Sequence, residues 1–178
     1  MVSGDFWFPS SAWEPMPRNS ASRISTPGLK GASARMTTHP TAWSLIDQYE
    51  PIDEENDVPP VCVQSEEHLR SLLELARRGS PRLLILAHPA GRRWFVGIGG
   101  PLAGILYYDS PGVDSRFAIP QQQYSQEPGA FISEGVPTMF PARVLMPPED
   151  VIKITCEFVR TDRLPSSAQW VLARTILL

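Results

Sequence analysis

Cysteine and histidine are scarce in this chain of 178 residues. The two cysteines, Cys62 and Cys156, lie 94 residues apart and form no CxxC or Cys/His grouping. This spacing argues against a structural zinc site and a disulfide framework, and it favours a reducing, cytoplasmic setting. The three histidines, His39, His68 and His88, form no HxH or HExxH pattern. We therefore predict no metal site and no cofactor.

Long apolar runs and an excess of basic charge are also missing. Without an apolar run of about 18 residues or a basic N-terminal region followed by an apolar one, neither a membrane span nor a signal peptide is predicted. Residues 58–178 are nearly neutral, with 12 basic and 11 acidic side chains, so direct binding of nucleic acid is not expected. Residues 47–57 hold six acidic side chains and no basic one. We interpret this run as a solvated linker in preference to a docking site for a basic partner.

Proline, in contrast, is abundant. Eight of the 19 prolines fall in the first 60 residues, where Ser, Thr, Gly and Ala are also frequent. This composition predicts a flexible N-terminal extension over residues 1–57, with one helical turn from Trp43 to Tyr49. Residues 58–178 are then a single domain, and a hydrophobic fraction of 42% for the whole chain is enough for a core.

Two segments have the apolar period of amphipathic helices. The first begins after Ser65, a natural N-cap, and ends at Gly79. Leu75 falls off its apolar stripe, which indicates either a surface contact or a wide hydrophobic face, and we favour the wide face. The second helix follows Pro147 and runs to about Arg160. Predicted ion pairs on the first helix are Glu66/Arg70 and Glu74/Arg78, and the predicted core face of the second comprises Val151, Ile154, Thr155, Phe158 and Val159.

Strand-like runs separate the two helices and follow the second. Short turns between the first three runs after the first helix imply antiparallel hairpins. The predicted fold is therefore α+β, with a mainly antiparallel sheet, a meander of about five to seven strands, and two principal helices packed on one face. The predicted strands are Val61–Val63, Leu83–Ala87, Trp94–Ile98, Ile105–Tyr108, Phe117–Ile119, Ala130–Ser133, Thr138–Phe140 and Gln169–Leu172.

Sequence motifs typical of catalytic sites are weak or missing. The glycines from Gly97 to Gly104 lack the Lys-Ser/Thr of a phosphate loop, so we predict a hairpin turn, with a small-ligand cradle in a regulatory domain as the alternative. No GxSxG pattern occurs, and Cys62 and Cys156 are interpreted as core residues. An enzyme would require a histidine or carboxylate close to one of these thiols. His88, before a proline at a strand end, is interpreted as a turn residue.

Acids and tyrosines on the predicted loops and strand ends are the remaining candidates for function. Tyrosine is a frequent interface anchor, and carboxylates complement a basic partner. Strand alternation allows only one of Tyr107 and Tyr108 to point inward, so the other should be exposed. The predicted partner-binding residues are Tyr108, Asp109, Asp114, Tyr124, Glu127 and Glu134.

The order of several short segments between residues 61 and 172 resembles the first-numbered immunity-protein family of bacterial polymorphic toxin systems. These segments are Trp94–Gly99 (WFVGIG), Leu106–Tyr108 (LYY), Phe131–Gly135 (FISEG), Leu145–Val151 (LMPPEDV), Phe158–Thr161 (FVRT) and Trp170. After Thr161 the family tends to have a glycine, where this chain has Asp162. The resemblance implies a small, noncatalytic cytoplasmic protein that binds a cognate toxin, often a nucleic-acid deaminase, and occludes its active site. Strand-end tyrosines and acids would then plug the toxin's basic substrate cleft.

Overall fold

The computed structural model describes residues 43–47, 59–109 and 114–176. Within them, two α-helices and nine strands form an α+β fold, which confirms the predicted class; the sheet has more strands than the predicted five to seven. The helices are α1 (Glu66–Arg77) and α2 (Pro148–Thr161). The strands are β1 (Ser44–Asp47), β2 (Val61–Cys62), β3 (Arg82–Ala87), β4 (Arg93–Ile98), β5 (Gly104–Tyr108), β6 (Arg116–Ile119), β7 (Gly129–Ser133), β8 (Val136–Phe140) and β9 (Gln169–Leu172).

The sheet is built around the predicted antiparallel meander. Its strand order is β2-β1-β3-β4-β5-β6-β9, and every pairing along this path is antiparallel. The β7–β8 hairpin joins β3 through one parallel bridge, between Arg82 and Ile132. Since β3, β4 and β5 are connected by turns too short for a crossover, their order in space follows their order in the chain.

Both helices begin where the sequence predicts. The Ser65 hydroxyl accepts a hydrogen bond from the backbone N–H of His68 at 3.1 Å and caps α1. Pro148 occupies the first turn of α2, where a missing N–H costs nothing. The two helices pack antiparallel, with Arg77 paired to Glu149 at one end of the pair and Arg160 to Glu66 at the other.

Ion pairs on α1 agree in part with the predicted set. Glu66 and Arg70 form the expected i,i+4 pair at 3.5 Å. The predicted Glu74/Arg78 pair is wrong, because Glu74 pairs with Arg77 at 3.7 Å while Arg78 already lies at the C-cap, beyond the last helical turn.

The central strands of the sheet, β3, β4 and β5, are buried on both faces. Alternate residues of β3, β4 and β5 point to the two helices, as predicted, and α1 and α2 cover that face. The opposite face is covered by Phe131 and Phe140 of the β7–β8 hairpin and by the segment Val144–Leu145. Tyr107 joins the helix-side core, and Tyr108 is partly buried in the second core. The prediction that one of these tyrosines is exposed is therefore wrong, because it assumed a sheet with one solvated face.

Residues 43–47 form sheet structure instead of the predicted helical turn. Ser44–Asp47 pairs with β3 along four residues and with β2 along two. Trp43 and Leu45 enter the helix-side core, and Ile46 packs against the second core. Burial with a period of two is the pattern of a strand, and pairing with β3 outweighs the local helical pattern. The rest of the predicted extension, including most of the acidic run, lies outside the described residues.

Cys62, which was predicted to be in the core, and Leu75, which was interpreted as part of a wide hydrophobic face, are both on the surface. Cys62 is exposed, because β2 is a two-residue strand at the outer edge of the sheet. Leu75 is 71% exposed, because it lies beside the stripe of α1 that packs into the core and not within it. Cys156, in contrast, is buried as predicted.

Thr138 on β8 is the one buried side chain in the described ranges with a polar atom that lacks a hydrogen-bond partner. It is 1% exposed. Burying an unpaired hydroxyl costs about 1–3 kcal/mol. We expect Thr138→Val to raise the free energy of unfolding by about 1 kcal/mol, measured by chemical denaturation.

Thr155 is a matched control for this prediction. It is also fully buried, but its hydroxyl accepts a hydrogen bond from the indole N–H of Trp94 at 3.0 Å. Thr155→Val should lower the free energy of unfolding by about 1–2 kcal/mol, because it leaves that N–H buried and unpaired. Equal signs for the two variants would contradict this assignment of the Thr138 hydroxyl.

Candidate functional site

One end of the sheet carries a connected set of charged and aromatic side chains, which we name the Arg92 cluster. The main chain brings them together because β3 ends, β4 begins, β5 ends and α2 ends at this same end of the domain. The members of the Arg92 cluster are Trp43, His88, Arg92, Tyr107, Asp109 and Asp162.

Arg92 is the centre of the cluster. Its guanidinium donates a hydrogen bond to Asp162 at 2.6 Å, and its central carbon lies 5.2 Å from the centroid of the Trp43 ring. The Arg92 side chain is only 17% exposed, whereas that of Asp162 is 57% exposed. The hydrogen bond to Asp162 raises the pKa of Arg92 above its ordinary value. The arginine is thus held in place, while the carboxylate remains accessible to a partner.

Asp162 adopts an unusual backbone conformation for its residue type. It caps the C-terminus of α2 with φ 54° and ψ 28°, in the left-handed region that favours glycine. Asp tolerates this region better than most residues, and the ion pair with Arg92 gives the side chain a role there. This is the position at which the resembled family tends to have glycine.

His88 shapes the turn that carries Arg92. Its backbone N–H donates to the Arg92 carbonyl at 3.0 Å, and its Nδ1 accepts from the N–H of Ala90 at 3.1 Å. Burial lowers the pKa of His88, and the positive charge of Arg92 lowers it further, against an opposing effect of Asp162. The interpretation of His88 as a turn residue is confirmed, and its imidazole is neutral at pH 7.

Tyr107 orients the carboxylate of Asp109. Its hydroxyl donates to Asp109 at 2.9 Å, while its ring packs against Phe158 with centroids 5.4 Å apart. Burial and the neighbouring Asp109 raise the pKa of Tyr107 to about 12. The phenol therefore keeps its proton at physiological pH and fixes one carboxylate oxygen of Asp109 in position.

The structure brings together three of the six predicted partner-binding residues. Tyr108, Asp109 and Asp114 lie at the Arg92 end of the sheet, on either side of residues 110–113, which the structure leaves undescribed. Asp114 is 46% exposed and pairs with Arg174 at 3.2 Å. These three residues and the Arg92 cluster form one candidate surface, to which we refer as the acidic end.

The other three predicted residues lie elsewhere. Tyr124 and Glu127 are exposed on the connection from β6 to β7, which leaves β6 at the end opposite Asp114. Tyr124 lines a pocket of about 220 Å³ beside α2. Glu134 is in the two-residue β7–β8 turn, with φ 52°. The six residues therefore do not form one continuous site.

Sequence reasoning missed Arg92, Asp162 and Trp43. The contact between Arg92 and Asp162 joins residues 70 positions apart, and no local pattern predicts such a pair. The aspartate where the resembled family tends to have glycine is the one feature of the sequence that could have drawn attention to this position.

Three of the four glycines of the β4–β5 region are explained by packing inside the protein. A Cβ atom on Gly97 would lie 2.5 Å from the Phe131 ring, and one on Gly104 would lie 2.6 Å from the Phe140 ring. A Cβ on Gly99 would lie 2.2 Å from the carbonyl oxygen of Ser80. The predicted hairpin turn is confirmed. Packing accounts for three of the glycines on which the alternative of a ligand cradle was based.

Neither thiol has the surroundings of a catalytic nucleophile in the described ranges. Burial raises the pKa of Cys156 to about 11, so this thiol stays protonated at neutral pH. The Cys62 thiol is exposed and makes no hydrogen bond with a described residue. Among the residues that the structure describes, no three His, Cys, Asp or Glu side chains group closely enough to hold a metal ion.

Comparison with known protein families gives a match over most of the described residues. The family model described as immunity protein Imm1 matches residues 59–172, from just before β2 to the end of β9. This range agrees with the resemblance derived over residues 61–172. No curated protein matches the chain. None of the helices in the described ranges is long and apolar enough to cross a membrane.

Proposed function

Because the chain belongs to the Imm1 family of immunity proteins, we propose that it binds a cognate bacterial toxin domain and blocks the toxin's active site without catalysing a reaction. Family membership, over about two thirds of the chain, is the observation that carries this proposal, since it suggests a toxin-neutralising role. The resemblance favours a nucleic-acid deaminase as the toxin. Such an inhibitor would act in the cytoplasm of the cell that makes it.

The acidic end is the surface that we propose for this contact. Asp114 and Asp162 are about half exposed, and Asp109 is partly exposed beside them. An enzyme that acts on a nucleic acid needs a basic cleft to bind phosphates. Carboxylates placed against such a cleft complement its charge and speed encounter. Arg92, Tyr107 and Arg174 hold these carboxylates in place before binding, which lowers the entropy lost in the complex.

A direct test of the function uses the toxin domain encoded next to the gene for this chain. The two proteins should copurify, and expression of this chain should rescue cells that express the toxin. Absence of a complex together with absence of rescue would overturn the proposed function.

Asp109→Asn is expected to weaken the complex about 10-fold, or about 1.4 kcal/mol, because it removes a charge that faces the basic cleft. The amide oxygen can still accept a hydrogen bond from the Tyr107 hydroxyl, so the stability of the fold should be unaffected. A charge reversal to arginine would instead leave that hydroxyl without its acceptor and add repulsion with Arg92. The dissociation constant is measured by calorimetry.

Glu127→Gln makes the same chemical change on the β6–β7 connection. Comparison of the two variants shows whether the toxin contacts the acidic end, this connection or both. If Asp109→Asn leaves the dissociation constant unchanged, Asp109 does not belong to the binding surface. A comparable loss in both variants would extend the surface beyond the acidic end to the β6–β7 connection.

A further inference from the structure

We propose that the toxin also contacts a second site, an apolar groove between α1 and the β1–β2 edge of the sheet. The toxin segment that enters this groove carries an apolar side chain next to a carboxylate. This inference rests on the toxin-binding function proposed above. The groove has a volume of about 410 Å³, and its walls come from Leu72 and Leu75 on α1 and from Leu45, Val61 and Leu84 on the strands.

Exposure of apolar side chains is the first reason to consider this groove a docking site. Leu75 is 71% exposed and Val61 is 40% exposed, and both line the same concavity. Single exposed apolar residues are common on protein surfaces. Two that converge on one apolar groove of this size are typical of a binding site, because a partner side chain can bury both of them at once.

The charge at the rim defines the chemistry of the partner. Arg78 is exposed at the C-terminal end of α1 and forms no ion pair within the described ranges. Arg82, also on the rim, is held by Asp47 at 2.9 Å. An arginine without a counter-ion beside an apolar groove favours a ligand with a carboxylate close to its apolar anchor.

The two proposed contacts use opposite ends of α1. The first turn of α1 lies near the end of α2, and so near Asp162 and the acidic end, as the pair between Arg160 and Glu66 shows. The groove lies beside the last turns of α1. At 1.5 Å per residue, 12 residues of helix separate the two regions by about 18 Å, which is within the span of an ordinary protein interface.

Cys62 lies next to the groove without lining it, and it can carry a reporter on a flexible tether. It is exposed and adjacent to Val61 on β2, and the second cysteine of the chain, Cys156, is buried. An environment-sensitive maleimide should therefore label Cys62 selectively. On titration of the labelled full-length chain with the toxin domain encoded by the neighbouring gene, we expect a blue shift in emission as the groove is covered.

Leu75→Asp tests the groove itself. We expect it to weaken toxin binding at least 10-fold, because the carboxylate would have to be buried against an apolar anchor. The matched control is Met139→Asp, which makes a similar change at a 40% exposed apolar residue of β8 outside the groove. It should leave the affinity within about 2-fold. Arg78→Glu should also weaken binding. The affinity of this variant should depend less on salt concentration than that of the native chain.

The outcomes distinguish failure of the groove proposal from failure of the proposed toxin-binding function. If the native chain binds the toxin but Leu75→Asp and Arg78→Glu bind as tightly as Met139→Asp, the groove is not a docking site and the proposed function stands. If Leu75→Asp instead lowers the free energy of unfolding without changing affinity, the docking proposal is overturned, since an aspartate in the last turn of α1 accounts for that loss by itself. If the native chain binds no toxin, the proposed function fails, and this inference fails with it.

Discussion

Gly99→Ala is expected to lower the free energy of unfolding by about 3–5 kcal/mol. Gly99 has φ +103°, a conformation that side chains with a Cβ rarely adopt. The added methyl group would lie 2.2 Å from the Ser80 carbonyl oxygen and 3.1 Å from the Pro81 Cα. Both neighbours are backbone atoms that lead into β3, so they cannot move without displacing the sheet. A loss of this size is a large share of the 5–15 kcal/mol that stabilises a typical domain.

Gly100→Ala is the matched control in the same turn. A Cβ on Gly100 meets its nearest neighbour, the Leu102 carbonyl oxygen, at 3.6 Å, which is an ordinary contact. We expect its free energy of unfolding to stay within about 1 kcal/mol of the native value. Both variants are measured by urea denaturation. Equal losses would show that the turn tolerates no side chain at either position and would contradict the specific role of Gly99.

Trp94→Ala is the second variant for which we expect a loss of about 3–5 kcal/mol. Trp94 is completely buried on β4. Its ring stacks on Phe158 of α2, with centroids 4.0 Å apart and planes 15° from parallel, and it also contacts Trp170 at 5.3 Å. Removing it opens a cavity between the sheet and α2, where the surrounding aromatic rings are too rigid to close it.

Trp94→Phe separates packing from hydrogen bonding. It keeps an aromatic ring against Phe158 but removes the N–H that bonds to Thr155 and part of the ring volume. We expect a loss of about 1–2 kcal/mol, again from urea denaturation. A loss below about 1 kcal/mol for Trp94→Ala would mean that this aromatic contact does not hold α2 on the sheet.

The sequence predicted the helices and hairpins of this domain well, because residues next to each element mark where it begins or ends. Ser65 and Pro147 mark the starts of the helices, and the short glycine turns require antiparallel neighbours. The second buried face of the sheet was missed, although the run of four buried apolar residues from Leu83 to Leu86 is typical of a strand covered on both sides. Such a run indicates burial without showing which element provides the cover.

The candidate site was predicted only in part, for a similar reason. Asp109 and Asp114 were identified because acids at a strand end are visible in the sequence. Arg92 and Asp162 meet only when the β3–β4 turn and the end of α2 come together, 70 residues apart in the chain. The exposure of Leu75 depends on the angle at which α1 sits on the sheet, and the sequence period leaves that angle open.

The burial of the sheet on both faces restricts how proteins of this kind can change partners. Substitutions within β3, β4 or β5 would disturb one of two cores, so they cannot easily be used to adapt the surface. The outer edge strand and the exposed positions of the turns and helix ends have no such restriction, although a tightly packed turn residue such as Gly99 does. Divergence between cognate pairs should therefore concentrate at those positions, and a new partner could be accommodated without refitting the interior.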